Sequence, residues 1–230
     1  MKIGVIVAMQ KELDRLKEQL DHGRTEQHNG RTFVVGRIGP NDIIVQQCGI
    51  GKVNSAIGAV EMIFAYRPQL IVSTGVAGGA DITLNPADTV VSTACTYHDA
   101  YCGAECEAGQ IVGLPATYPS PQTLVDQALA MRADNAIRAG LIVSGDWFVD
   151  SRDKMQQILD RFPAATAVDM ESCSIAQTCH IYRTPFISFR IISDVPLKDR
   201  EAAQYYDFWE RLAESSFRIT KTFLQTIQHI

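Results

Sequence analysis

Short apolar runs rich in valine and isoleucine recur along the chain and predict β-strands. The runs cover residues 2–9, 32–38, 42–48, 69–74, 88–95, 140–144 and 185–192. Continuous apolar runs of this length are typical of strands that are buried on both faces of a sheet. Gly39-Pro40-Asn41 joins the second run to the third, and this short connection predicts an antiparallel hairpin.

Segments that mix charged and apolar positions lie between the runs and predict helices. They cover residues 10–20, 53–66, 121–138, 153–161 and 171–182. The clearest helical period lies near the C-terminus, at Trp209, Leu212, Ser216, Ile219, Phe223 and Ile227. The alternation of strands and helices predicts an α/β fold, a three-layer α/β/α domain around a mixed, largely parallel twisted sheet.

Length and charge narrow the class of protein. A chain of 230 residues is expected to form one domain, residues 1–230, with a full core. The net charge of −5 and the lack of a Lys/Arg run argue against a nucleic-acid binder. The N-terminal apolar run ends at Met9, too early for a signal peptide, and no run is long enough to span a membrane. We therefore expect a cytoplasmic protein.

Cysteine and histidine residues cluster at one place in the sequence. Cys95, His98, Cys102 and Cys106 fall within twelve residues, but their spacing matches no zinc signature. We therefore expect no metal site there, and cysteines that stay mostly reduced in the cytoplasm.

Three carboxylates lie close to the ends of predicted elements. Glu12 follows the first apolar run, Asp194 closes the last, and Glu171 opens a helical segment. In open α/β sheets, ligands bind at the carboxyl ends of the strands. Any one of these acids is compatible with a helix cap, but the three together indicate acid–base chemistry on a small molecule.

Further motifs indicate a binding site for a flat ligand. The glycines of Ser73-Thr74-Gly75-Val76-Ala77-Gly78-Gly79 allow a ligand close to the backbone, although the full dinucleotide fingerprint is missing. Gly49-Ile50-Gly51-Lys52 lacks the residues of a P-loop. Phe148 follows another strand, where it fits either the core or stacking on a ring. No nucleophile elbow or Ser-His-Asp order is present.

Taken together, these motifs resemble those of the bacterial 5′-methylthioadenosine/S-adenosylhomocysteine nucleosidases, within the wider nucleoside phosphorylase group. The resemblance runs nearly end to end. The motifs that carry it are Lys2-Ile3-Gly4, Ala8-Met9, Glu12, Gly49-Ile50-Gly51-Lys52-Val53, Thr74-Gly75-Val76-Ala77-Gly78-Gly79, Tyr97-His98-Asp99-Ala100, Gly140-Leu141-Ile142-Val143-Ser144-Gly145-Asp146, Val168-Asp169-Met170-Glu171 and Arg190-Ile191-Ile192-Ser193-Asp194.

The resemblance implies a reaction and a role for each acid. It implies a homodimer that hydrolyses the bond between adenine and the thioribose, with no metal or cofactor. Glu12 would deprotonate the attacking water, Asp194 would protonate N7 of adenine, and Glu171 would hold the ribose hydroxyls. The implied substrate-binding residues are Met9, Ile50, Val76, Ala77, Gly78, Phe148, Val149, Asp169, Met170, Glu171, Arg190, Ser193 and Tyr206.

These roles agree with the chemistry of N-glycosidic cleavage, which builds positive charge on the sugar and negative charge on the base. A buried carboxylic acid with a raised pKa can protonate the base. A carboxylate stabilises the sugar, and another activates water, as in the division of labour between carboxylates in glycosidases.

The chain departs from the family pattern at several positions. Asp169 stands where glutamate is expected, and Val76 stands where many relatives have serine. After Asp99, an apolar flap that relatives contribute to the partner's 5′-thio pocket is replaced by a more polar segment, which places Cys102 and Glu105 at the partner-facing positions. A glutamate there is costly unless it is paired, so we expect an altered preference at the 5′ position.

Three alternatives remain open from the sequence. One is a nucleosidase whose substrate carries a bulkier 5′ group, as in aminodeoxyfutalosine. A phosphate-dependent phosphorylase would need arginines for phosphate, which the strand before Gly75 lacks. A non-catalytic nucleoside sensor would not need a water-activating acid such as Glu12.

Overall fold

The computed structural model describes residues 1–198 and 217–230. Strands and helices alternate, as predicted. The strands are β1 Lys2–Val7, β2 Asp21–His28, β3 Arg31–Ile38, β4 Asn41–Gln47, β5 Leu70–Gly79, β6 Thr89–Tyr97, β7 Tyr118–Pro119, β8 Ile137–Ser144, β9 Ala165–Asp169 and β10 Phe186–Asp194. The helices are α1 Gln10–Lys17, α2 Lys52–Tyr66, α3 Gln122–Leu129, α4 Arg152–Arg161, α5 Ser172–Ile181 and α6, residues 217–226.

All ten strands belong to one mixed sheet. Its first part is an open sheet in which β1 lies between β4 and β5 in parallel, and the predicted hairpin of β3 and β4 is antiparallel. Its second part closes on itself, because β5 pairs with both β10 and β9 while β6 and β8 connect these two strands. The long strand β5 therefore belongs to both parts.

Helices cover the sheet on two sides, which confirms the predicted three-layer fold. One apolar cluster contains side chains of α2 and α5, such as Met62 and Ile175. A second cluster contains side chains of α1, α3 and α6, such as Leu16, Leu124 and Phe223. Successive residues of β1 point to opposite layers, as expected for a strand that is buried on both faces.

Several element boundaries differ from the sequence prediction. The helix predicted over 121–138 ends at Leu129, because the chain turns and enters β8 at Ile137, where it pairs with β6. The strands β2, β7 and β9 were not predicted, since β2 is polar and mostly exposed while β7 and β9 are short. In the last helix, the predicted positions Trp209, Leu212 and Ser216 lie outside the described residues. No helix within the described ranges is long and apolar enough to cross a membrane.

Candidate active site

A cavity of about 180 Å³ lies where the ends of β1, β5, β8, β9 and β10 meet. The predicted catalytic and substrate-binding residues in the described part of the chain all line it: Met9, Glu12, Ile50, Val76, Ala77, Gly78, Phe148, Val149, Asp169, Met170, Glu171, Arg190, Ser193 and Asp194. Closure of the sheet explains this convergence, because it brings the ends of β8 and β9 to the ends of β5 and β10.

Glu12 lies in the first turn of α1, directly after β1. Its Oε2 accepts hydrogen bonds of 2.9 Å from the backbone N–H groups of Ala8 and Met9. The side chain is buried, and burial raises the pKa of Glu12 to about 7 against the lowering effects of these N–H groups and of the Arg190 guanidinium. A carboxyl group with a pKa near neutrality suits a general base.

Glu171 directly precedes α5, and its carboxylate meets the start of α2. Its Oε1 accepts a 2.9 Å hydrogen bond from the backbone N–H of Gly51, the residue before the first turn of α2. A helix N-terminus favours negative charge. Even so, burial, together with the nearby charge of Asp169, raises the pKa of Glu171 to about 7, while Arg190 acts in the opposite direction.

Arg190 is a buried cation between these acids, on the inward side of β10. Its Nε lies 2.6 Å from Asp169 Oδ2, and its Nη2 donates a 2.9 Å hydrogen bond to Ser73. Asp169 also accepts hydrogen bonds from the hydroxyls of Ser144 and Ser172, both 2.5 Å long. The expected glutamate is therefore replaced by an aspartate whose oxygens contact the arginine and serines below the cavity. Buried charges are tolerated when they are paired and hydrogen-bonded in this way.

Gly75 of β5 makes room for this arrangement. A Cβ atom at Gly75 would lie 2.6 Å from Arg190 Nη1 and 2.7 Å from Glu12 Oε1. Both side chains are buried and held by several hydrogen bonds, so neither can move away without loss of those bonds. The glycine is therefore required by the close approach of the acid and the arginine to the strand.

Asp194 ends β10 beside an irregularity in the pairing with β5. The register shifts between Ile192 and Asp194, and such bulges re-aim side chains at the ends of strands. The Ser193 hydroxyl lies 2.5 Å from Asp194 Oδ1 and 3.1 Å from the carbonyl oxygen of Ala77. Asp194 is only partly buried, and it lines the cavity.

The rim of the cavity is apolar and exposed. Ile50, Trp147 and Phe148 are 52%, 43% and 47% exposed, although all three line the cavity. Sequence reasoning named Ile50 and Phe148 but did not select Trp147, nor Ala8, Asp150 and Val168, which also line it. The position of Trp147 beside Phe148 in the loop after β8 was the available signal.

The remaining predicted residues are Cys102, Glu105 and Tyr206. Cys102 is partly buried and Glu105 is exposed, and neither lines the cavity of its own chain, so their predicted contribution requires a second subunit. Tyr206 lies outside the described residues. Among residues 1–198 and 217–230, no group of three or more His, Cys, Asp or Glu side chains is arranged to hold a metal ion.

Known proteins resemble this chain over its whole length. The family model described as phosphorylase superfamily matches residues 2–225. A 5′-methylthioadenosine/S-adenosylhomocysteine nucleosidase from Chromohalobacter salexigens is 34% identical, over 98% of this chain and 97% of the relative. An S-adenosylhomocysteine nucleosidase from Streptococcus pyogenes, solved with 5-methylthiotubericidin, has 33% identity and a TM-score of 0.92, over 100% of this chain and 98% of that one.

The fold is shared with an enzyme of a different name. The futalosine hydrolase of Helicobacter pylori has 29% identity and a TM-score of 0.89, over 99% of this chain and 98% of that one. The sequence match to the nucleosidase relative nevertheless exceeds 30% identity across nearly the full length of both chains. The chain therefore belongs to the phosphorylase superfamily and, within it, to the 5′-methylthioadenosine/S-adenosylhomocysteine nucleosidases.

Proposed function

We propose that this protein hydrolyses the N-glycosidic bond of 5′-thioadenosines, namely 5′-methylthioadenosine and S-adenosylhomocysteine, with release of adenine and a 5′-thioribose. The observation that carries the proposal is the convergence of Glu12, Glu171 and Asp194 on one cavity. Each acid has a different environment, so each can take a different part in one reaction.

Glu12 activates the attacking water. Its pKa of about 7 lets it accept a proton near neutral pH, and its two backbone hydrogen bonds fix one oxygen while the other faces Arg190 and β5. Proton transfer by a positioned side chain contributes a rate factor of about 10² to 10⁴. Glu171, anchored by the Gly51 N–H, binds the ribose hydroxyls and offsets the positive charge that develops on the sugar.

Asp194 protonates N7 of the departing adenine, with Ser193 as its hydrogen-bonded neighbour. Protonation converts adenine into a neutral leaving group, so that negative charge does not build up on the base. Phe148 stacks on the adenine ring, and the backbone of Val149 reads the edge of the base. Met170 packs against the sugar, while Met9 and Ile50 contribute apolar surface to the 5′-thio group.

The charge of the cavity supports water rather than phosphate as the nucleophile. Arg190 is the one cationic residue among those that line the cavity in the described ranges, and it is already paired with Asp169 at 2.6 Å. Phosphate binding sites need available arginines or other donors. Glu12 would in addition repel a phosphate at the point of attack. We therefore assign the activity as hydrolysis and not phosphorolysis.

We also propose that the active form is a homodimer. Several apolar side chains on α2 and directly after the neighbouring helix α5 are exposed, including Val53 at 70%, Phe64 at 64% and Tyr182 at 42%. Phe64 and Tyr182 form an edge-on ring pair at 5.4 Å, so these side chains form part of one patch. Contiguous exposed apolar surface is typical of protein interfaces. In such a dimer, Cys102 and Glu105 would reach the partner's 5′ pocket and favour a polar 5′ group.

The proposal is tested by an adenine-release assay in phosphate-free buffer. We expect release from 5′-methylthioadenosine or S-adenosylhomocysteine, with aminodeoxyfutalosine offered in parallel because the fold is shared with a futalosine hydrolase. The Asp194→Asn variant, purified identically, is the control for contaminating nucleosidases. If Glu105 prefers a polar 5′ group, the ratio of kcat/KM for S-adenosylhomocysteine to that for methylthioadenosine should fall in Glu105→Leu. Adenine binding without any release would indicate a sensor.

A further inference from the structure

A second group of charged residues lies beside the cavity and is not part of its lining. It consists of Lys52, Asp99 and Asp146, hereafter the clip. Asp99 Oδ2 accepts a 2.7 Å hydrogen bond from Lys52 Nζ and a 2.9 Å hydrogen bond from the backbone N–H of Asp146. Asp146 Oδ1 in turn accepts a 2.9 Å hydrogen bond from the backbone N–H of Lys52. Each of the three residues is therefore hydrogen-bonded to the other two, through one side-chain donor and two backbone donors.

The clip joins three segments that are distant in sequence. Asp99 follows β6, Lys52 is the first residue of α2, and Asp146 lies in the loop after β8. The Asp146 carboxylate caps an N–H at the start of α2, where helix N–H groups lack partners within the helix. Asp99 then ties the same loop to the side chain of Lys52. Loss of the Asp99 carboxylate therefore removes two of the three hydrogen bonds at once.

The backbones of these segments approach closely. Gly51 has a φ of +93°, and a Cβ there would lie 2.8 Å from Asp146 Oδ1. A Cβ at Gly145 would lie 2.4 Å from His98 Cε1 and 2.8 Å from Asp99 Cγ. Gly51 and Gly145 thus permit the close approach of the three segments. Glycines would not be needed at these positions if the charged groups met only at an open surface.

The ion pair in the clip is partly shielded from solvent. The side chains of Lys52 and Asp99 are 30% and 9% exposed. Burial raises the pKa of Asp99, but the hydrogen bonds from Lys52 and from the Asp146 N–H outweigh it and hold the pKa below its usual value. Asp99 is therefore ionised at neutral pH, and its charge is screened less than that of an exposed pair.

The clip is connected to both halves of the proposed substrate site. Gly51, which precedes Lys52, donates its N–H to Glu171 at 2.9 Å. Phe148 follows Asp146 by two residues in the same short loop. Any movement of the loop away from α2 would therefore displace the ring that faces adenine, and any movement of the α2 start would displace the donor that holds Glu171.

We propose that Asp99 is a positioning residue that fastens the loop carrying Phe148 to the start of α2, so that one carboxylate sets the placement of both Phe148 and Glu171. The inference rests on the proposed function for its substrate, because it assigns Phe148 to adenine and Glu171 to the ribose hydroxyls. It adds to that function a residue that contacts neither part of the nucleoside.

The experiment compares Asp99→Asn with the wild-type protein in two assays. The first measures kcat and KM for 5′-methylthioadenosine and for its 2′-deoxy analogue, which lacks a hydroxyl that Glu171 would hold. The second measures the Kd of adenine by calorimetry, which requires no turnover. Lys52→Arg keeps the positive charge and a hydrogen-bond donor beside Asp99, so it tests whether a conservative change in the clip is tolerated. Arg138→Met removes an exposed ion pair with Asp81 at 3.9 Å and is the matched control.

We expect kcat/KM for methylthioadenosine to fall about 10- to 100-fold in Asp99→Asn, since a misplacement of about 1 Å can cost 10²-fold. The loss should be several-fold smaller for the 2′-deoxy analogue, adenine should bind more weakly, and Lys52→Arg should lose much less activity. Arg138→Met should match the wild type in both assays.

Two results would overturn the inference while leaving the proposed function intact. One is an Asp99→Asn variant within about threefold of the wild type in every measurement. The other is an equal loss on both nucleosides with unchanged adenine affinity, which would mean only that less protein is folded. Absence of turnover in the wild type would refute the proposed function instead, and the adenine Kd of Asp99→Asn would then decide the inference alone.

Discussion

The floor and the rim of the cavity differ in how far their side chains are already buried and hydrogen-bonded within the protein. On the floor, Arg190 and the carboxylates around it are buried and hydrogen-bonded to backbone or side-chain groups. On the rim, Ile50, Trp147 and Phe148 leave about half of their surface in water. The floor is thus arranged before substrate arrives, which is what electrostatic catalysis requires, whereas the rim offers apolar area that a ligand would cover.

This difference predicts separate kinetic effects. Changes on the floor should lower kcat, because they alter groups that act on the transition state, and changes on the rim should mainly raise KM, because they alter contacts present in both ground and transition states. The first three predictions below test this separation.

The largest expected effect follows from Glu12→Gln. The amide keeps the shape of the side chain but cannot accept a proton, so kcat for adenine release should fall about 10³-fold, within the range for removal of a general base, with KM changed little. Steady-state kinetics with methylthioadenosine measure this. A kcat within tenfold of the wild type would show that Glu12 is not the base.

Gly75→Ala should disturb the floor without removing any of its functional groups. The added methyl group would meet Arg190 Nη1 at 2.6 Å and Glu12 Oε1 at 2.7 Å, so one of them must shift, and kcat should fall by about 10²-fold. Gly23→Ala is the control, because its nearest neighbour would be 3.7 Å away. Equal activity of the two variants would contradict a preorganised floor.

Phe148→Ala tests the rim. Stacking of an aromatic side chain on a base is worth about 1–3 kcal/mol, so KM should rise about 5- to 150-fold while kcat changes much less. Because Phe148 is 47% exposed, the melting temperature should hardly change. Ile82→Ala, at a residue that is 59% exposed and outside the cavity lining, serves as the control. A fall in kcat with KM unchanged would mean that Phe148 acts on the transition state, as the floor residues are expected to do, and would contradict the separation.

The last expected effect is on stability rather than on rate, and it is a pH dependence. The pKa of Glu12 is about 7 in the folded protein and 4.5 in the reference state, so the folded state binds the proton more tightly. Stability should therefore decline as pH rises from about 4.5 to about 7 and change no further from this group above that window.

Glu12→Gln isolates this effect, since glutamine does not titrate. The variant should gain stability relative to the wild type as pH rises through this window, by up to about 3 kcal/mol. Urea unfolding at pH 5 and pH 8 measures the difference. In the same window, kcat/KM of the wild type should rise with pH as the base ionises. A stability difference that is independent of pH would mean that Glu12 is ionised throughout.

The sequence predicted the floor better than the closure that builds it. Glu12, Glu171 and Asp194 could be selected because each acid follows or opens an element with a clear apolar pattern. The strand β9 could not be predicted, since Ala165–Asp169 is short and owes its conformation to pairing with β5 and β8. Without β9 the sheet does not close.

The clip could not be predicted from the sequence either. Lys52, Asp99 and Asp146 lie in three separate segments, and only the fold brings their hydrogen-bonding atoms together. The resemblance to the nucleosidases included all three positions within its motifs but assigned them no role. The placement of Asp169 was likewise a structural finding, because its contacts with Arg190 and two serines depend on the neighbouring strands.

The central claim is that buried carboxylates direct water to the glycosidic bond. The most direct measurement is adenine release from 5′-methylthioadenosine by the wild-type protein in phosphate-free buffer, repeated after addition of phosphate. We predict full activity without phosphate, no increase when phosphate is added, and a free thioribose as the second product. Release that occurs only with phosphate, with a sugar phosphate as product, would contradict the account.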